Sequence, residues 1–88
     1  MEQEMPDEQI EERFKKIVAE IYNVDVSKLN RKTRFVEDLH TKSANMIELC
    51  ALVEEEFRVE VPIRDIMKIK TVGEAIDYIK KKLQACIR

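Results

Sequence analysis

Glycine occurs once in these 88 residues, proline twice and tryptophan not at all. So few turn residues disfavour a fold of short strands joined by tight turns. The two cysteines, Cys50 and Cys86, form neither a disulfide framework nor a metal-ligand pair. Cys50 is expected as a small core residue and Cys86 as an exposed thiol near the terminus, with no bridge between them in a reducing compartment. The one histidine, His40, has no companion ligand at suitable spacing, so no metal site is expected. No apolar run approaches the roughly 20 residues of a membrane span. The acidic start, Met1-Glu2-Gln3-Glu4, is unlike a secretory signal. Sixteen Lys and Arg against 18 Asp and Glu give a formal net charge of -2, which lends nucleic-acid binding no general electrostatic support. The expectation is a soluble, cytoplasmic protein without a membrane span or a nucleic-acid partner.

What is abundant is Leu, Ile, Glu and Lys, a mix that favours helices. Eighty-eight residues suit one domain, 1–88, with a disordered start over 1–6 and a frayed tail over 84–88. Pro6 and Asp7 open the first helix, one of them near its cap. Ile10, Phe14, Ile17, Val18 and Ile21 then keep helical spacing as far as Tyr22. Glu11 precedes Lys15 by four and Glu12 precedes Lys16 by four, which supports the solvent face.

From Asn23 to Lys42 no period persists. Asn23, Asp25, Ser27, Asn30 and Thr33 supply turn chemistry, and Leu29, Phe35 and Leu39 are isolated apolar anchors. Val26 to Leu29 suits a single helical turn. A loop of about twenty residues is long for a compact domain and calls for a functional reason.

That loop leads into the stretch that organises the chain, Asp38 to Phe57. A helix is expected to start at Ser43, whose hydroxyl is a natural N-cap. Met46, Cys50, Val53 and Phe57 form its apolar stripe, which Ile47 and Leu49 widen. Glu48, Glu54, Glu55 and Glu56 carry charge, and no Lys or Arg lies between Ser43 and Phe57. The product is a helix with a buried face, an acidic remainder and a serine at its positive end.

Arg58 to Ile63 alternates like a strand, but no partner strand is evident and Pro62 removes a donor. An extended connector is expected, with Val61 and Ile63 turned inward, followed by a short helix over Arg64 to Ile69. Thr71 and Glu74 match a capping box that opens the last helix. There Val72, Ala75, Ile76, Ile79 and Leu83 face inward, and Asp77 precedes Lys81 by four. The expected core includes Phe14, Ile17, Ile47, Val53, Phe57, Ile76 and Ile79. Three longer helices, one short helix and a long first loop make an all-α, four-helix bundle.

Several spaced motifs agree in order with one family. Phe35-Val36-Glu37-Asp38-Leu39, a serine four positions after Leu39, Ile47-Glu48-Leu49 and Val53-Glu54-Glu55-Glu56-Phe57 resemble an acyl carrier protein. Val61-Pro62 and Ile69-Lys70-Thr71-Val72-Gly73-Glu74-Ala75-Ile76-Asp77-Tyr78-Ile79 resemble the carboxyl-terminal half of the same family, so the likeness spans Phe14 to Leu83. The resemblance implies a monomeric, non-catalytic carrier with 4′-phosphopantetheine on Ser43, placed there from coenzyme A by a phosphopantetheinyl transferase. It further implies acyl groups held as thioesters on the arm and a bundle interior able to shelter them. Acyl-loading and acyl-processing enzymes would read the helix after the serine, in fatty-acid, lipid or specialised metabolite biosynthesis. The residues that would meet these partners are Glu37, Asp38, Lys42, Ala44, Glu48, Glu54 and Glu55.

The sequence departs from the family beside the serine. Where Asp-Ser-Leu is usual, this chain has Lys42-Ser43-Ala44; Asn45 stands at an often acidic position and His40 at a common glycine. These departures suggest a specialised carrier over a general one of fatty-acid synthesis. A carrier-like bundle that never receives the arm, and acts as an interaction module, is the alternative. A Ser43–His40–Asp38 catalytic triad is not expected, because so short a chain offers neither a recognisable oxyanion hole nor a substrate pocket.

Overall fold

The computed structural model describes residues 6–87, with the side chains of 85–87 left out of the description. The expected disorder of 1–6 falls almost wholly outside this range, and the side chain of Cys86 lies outside it too. The described chain forms α1 (Asp7–Tyr22), α2 (Ser43–Phe57), α3 (Ile63–Met67) and α4 (Val72–Ile87), with one 3-10 turn at Val26–Lys28. This is a small all-α helical bundle. No strand forms among the described residues; the one extended pairing is an isolated antiparallel bridge between Arg34 and Thr71. No helix among them is long and apolar enough to cross a membrane.

The core gathers one face from each helix. Phe14 and Val18 of α1, Leu49 and Val53 of α2 and Val72, Ile76 and Ile79 of α4 are fully buried, with Phe35 of the loop among them. Expected core residues Ile17 and Phe57 are buried as well. Ile47 is not: it stands 61% exposed. At about 100° per residue it lies about 60–120° from Met46, Cys50, Val53 and Phe57, on the flank that carries Glu54. A wide stripe in the sequence is therefore a narrow one in the fold.

The connector after α2 also differs from expectation by one register step. Val59 and Val61 are buried and Ile63 is 45% exposed, because α3 starts at Ile63 and ends at Met67. Ile66 supplies its inward contact, and Ile69 packs against the core from the following turn. The connector itself is held when the Val61 N–H donates to the Glu54 carboxylate at 2.8 Å. Pro6 precedes α1 without a side-chain cap, its carbonyl accepting from Gln9 and Ile10. Thr71 caps α4 by accepting from the Glu74 N–H at 3.1 Å, but the Glu74 carboxylate answers to Lys70 N–H, one residue beyond the expected box.

The long loop is pinned by Arg31. Its guanidinium donates to Glu11 on α1 at 3.1 Å and to both carboxylate oxygens of Asp77 on α4 at 3.0 Å. Glu11 and Asp77 are thus committed across the bundle, in place of the expected pairs with Lys15 and Lys81. The backbone joins in: the Gly73 N–H donates to the Arg31 carbonyl, and the Val72 N–H donates to the Thr33 carbonyl, both at 2.9 Å. Phe35 N–H donates to the Lys70 carbonyl at 3.0 Å. These bonds, with Leu29 and Phe35 buried, hold the loop across the bundle so that it delivers Ser43 at one end.

The turn at Ser43 and the face of the second helix

Ser43 is the first residue of α2, and the cap position belongs to Lys42, which is extended at φ -124 and ψ 168. The expected N-cap role of Ser43 is therefore corrected by one residue. Asn45 explains the shift. Its side-chain oxygen accepts the Lys42 N–H at 2.9 Å, the returning half of a capping box. Lys42 has no acceptor to offer in exchange, so no side chain caps the first turn. Its N–H groups are left without an intrahelical partner.

The serine side chain is exposed and makes no hydrogen bond among the described residues. No carboxylate lies in the first turn of α2, and the exposed Lys42 adds a positive charge beside it. A helix N-terminus with open N–H groups and a neighbouring cation favours an anion. The residues present at this turn fit a phosphodiester.

What precedes the serine is held firmly. The Thr41 hydroxyl is hydrogen-bonded to the Tyr22 hydroxyl of α1, and the Tyr22 ring lies 6.2 Å from the Phe35 ring. Thr41 also donates to the Met46 sulfur at 3.3 Å, and the Thr41 N–H donates to the Phe35 carbonyl at 2.9 Å. Burial pushes the Tyr22 phenol above its ordinary pKa, against the opposing effect of the Thr41 bond, so it stays protonated. His40 takes the left-handed conformation, φ 55, at the position where the family resemblance has glycine. None of these contacts was legible in the sequence, where Thr41 carried no pattern.

No hydrogen bond links Asp38, His40 and Ser43 among the described residues. The Asp38 carboxylate accepts the Arg34 N–H at 2.8 Å and pairs with its guanidinium. The Arg34 backbone N–H, and then its side chain, hold the Asp38 pKa below the ordinary carboxylate value. Cys50 is buried, and burial raises its thiol pKa, so it is not a competing nucleophile. A surface cleft of about 320 Å³ opens within the loop, lined by Val24, Leu29 and Leu39 with Lys28, Asn30 and Lys32. No residue of α2 lines it.

A family model described as "Phosphopantetheine attachment site" matches residues 12–79. The chain belongs to that family. It is a carrier domain of the kind to which 4′-phosphopantetheine is covalently attached, and such domains work with a phosphopantetheinyl transferase and the enzymes of a pathway. The expected partner residues are differently disposed on this carrier. Glu37, Lys42, Ala44, Glu48 and Glu55 are exposed, and the first two and last two charges have no ion-pair partner among the described residues. Asp38 is committed to Arg34, Glu54 to the Val61 N–H, and Glu56 to Arg13 at 2.8 Å. The free acidic charge on α2 is thereby reduced to Glu48 and Glu55, with the exposed side chain of Ile47 next to Glu48.

Proposed function

We propose that Ser43 is the attachment residue and that the protein is a specialised, non-catalytic acyl carrier. The supporting observation is the turn itself: an exposed, unengaged hydroxyl on the first residue of a 15-residue helix, with an uncapped first turn and Lys42 beside it. In the loading reaction the Ser43 oxygen bonds to the phosphorus that bears pantetheine. The diphosphate bond of coenzyme A breaks, the adenosine bisphosphate half leaves, and the hydroxyl proton passes to the transferase. The open N–H groups of the first turn and the Lys42 ammonium stabilise the anionic phosphodiester that results. The attached arm supplies a terminal thiol on which acyl groups ride as thioesters. Asn45, Thr41 and Tyr22 fix the turn so that the serine is presented to a partner's active site and not folded back on the bundle.

Glu48 and Glu55 with Ile47 form the part of α2 that enzymes read, and Lys42 and Ala44 restrict which enzymes can do so. Such a carrier serves cytoplasmic lipid or specialised-metabolite synthesis in preference to general fatty-acid synthesis. The test is intact mass after incubation with coenzyme A and each phosphopantetheinyl transferase of the source organism. One phosphopantetheine group should be gained by the parent and none by Ser43→Ala. No gain with any of those transferases would leave the unmodified interaction module.

A further inference from the structure

Two large apolar side chains of α3 stand in solvent, Ile63 at 45% and Met67 at 62% of full exposure. Four residues apart, they lie side by side on one stripe of the helix. Arg64 and Lys68, also four apart, form a second stripe about 100° round the helix from the first. Both are exposed and neither has an ion-pair partner among the described residues. The carboxylate on α3 does not neutralise them. Asp65 accepts the Tyr78 hydroxyl of α4 at 2.7 Å and forms no ion pair with Arg64 or Lys68 among the described residues. Arg58 and Lys70, exposed on the connectors either side, extend the positive charge, against Glu60 as the one exposed carboxylate from Arg58 to Lys70.

We infer that this apolar and cationic face of α3 is a docking surface for a protein partner that presents carboxylates around an apolar cleft. Met67 and Ile63 fill the cleft, and Arg64 and Lys68 meet the carboxylates at its rim. The surface does not depend on whether Ser43 is loaded. A protein fits it better than an anionic bilayer does, because the exposed Glu60 on the adjoining connector puts a carboxylate beside these cations. A bilayer offers one sign of charge throughout, whereas a protein can place opposite signs locally. A second copy of the chain would offer Glu48 and Glu55 away from its loop cleft, and that cleft is edged by Lys28 and Lys32, which would repel Arg64 and Lys68.

The probe is an acidic amphipathic helical peptide, Leu along one face and Glu on both flanks, titrated into the full 15N-labelled chain. The amides from Ile63 to Lys70 should shift, and added salt should weaken the binding. A peptide with Lys in place of every Glu should leave those amides unmoved. Arg64→Glu with Lys68→Glu, and separately Met67→Glu, should each weaken the acidic peptide by about tenfold, with the far-UV spectrum unchanged. The inference is overturned if the acidic peptide leaves α3 unmoved, or if neither variant affects its binding. It is overturned equally if vesicles of phosphatidylcholine and phosphatidylglycerol shift the same amides, which would make this a lipid-binding face. A concentration-dependent dimer in sedimentation velocity that Met67→Glu abolishes would assign the face to a second copy instead. Loss of these shifts alongside a normal mass gain on Ser43 would separate failure here from failure of the carrier reading.

Discussion

Replacing Gly73 with Ala sets helix propensity against space. Gly73 lies buried in the first turn of α4, and its φ is not positive, so the backbone itself would accept alanine. The added methyl, however, would sit 2.9 Å from the Arg31 carbonyl oxygen and 3.1 Å from the Arg31 Cβ. Carbon–oxygen contacts normally fall at about 3.3–3.6 Å. The obstacle is main chain, and it cannot swing away. The same carbonyl accepts the Gly73 N–H at 2.9 Å, and the Arg31 side chain is tied to Glu11 and Asp77. Alanine gains about 1 kcal/mol in helix propensity, while a forced shift in a packed site costs about 1–3 kcal/mol. The shift wins, and the net loss should be about 1 kcal/mol. In a domain of this size that lowers Tm by about 4–8 °C. Thermal melts followed at 222 nm, a wavelength that reads helix content, give the answer directly. A variant that melts above the parent would refute the reasoning, since the loop segment at Arg31 would then be free to yield and could not be what positions Ser43.

Ile47→Ala should change stability by less than about 0.5 kcal/mol, because the side chain is largely in solvent, whereas Leu49→Ala, fully buried, should cost about 2–5 kcal/mol in urea unfolding. Phe57→Ala, at a buried position, should cost about 3–5 kcal/mol, and a change under about 1 kcal/mol would show that Phe57 is not central to the core. Asp38 titrates lower in the folded chain than in the unfolded one, through the Arg34 N–H and side chain. Its contribution is thus present above the unfolded carboxylate range and lost as pH falls through the folded value, so Asp38→Asn should lower stability near neutrality and flatten the acid limb of stability against pH. By relieving repulsion from a basic transferase surface, an effect that outweighs the lost charge beside the phosphodiester, Lys42→Asp with Ala44→Leu should speed loading by a broad-specificity transferase about tenfold at low salt, with the Lys42 share shrinking as salt rises. An unchanged rate would move specificity to Glu48, Glu55 and the cargo.

Much of the bundle was legible because burial and helical period coincide. Ile10, Phe14, Ile17 and Val18 on α1, and Val72, Ala75, Ile76 and Ile79 on α4, are spaced by three and four and are all buried. The isolated anchors Leu29 and Phe35 were legible for a different reason, since an apolar side chain in an otherwise polar loop has only the core to go to. Ile47 and Ile63 mislead by the same rule. They are apolar but sit off the buried stripe, and only the orientation of α2 and α3 on the bundle reveals it. The serine was legible by its place in the motif order, while the turn that holds it was not. Asn45 moves the cap to Lys42, and Tyr22 reaches Thr41 across 19 positions of sequence. The partner face shrank for a similar reason: Glu54 and Glu56 look like surface charge in sequence, yet bond the connector and α1.

The attachment residue is tested most directly on protein isolated from its source. Trypsin cuts after Lys42 and after Arg58 and so releases Ser43–Arg58, a peptide in which Ser43 is the only hydroxyl-bearing residue. Ser27, the only other serine, falls in a different peptide. Fragmentation of Ser43–Arg58 should show one phosphopantetheine group leaving from its first residue, and the peptide from Ser43→Ala protein should show none. The same group found on the Ser27 peptide, or a Ser43–Arg58 peptide that is unmodified in every preparation, would contradict the account.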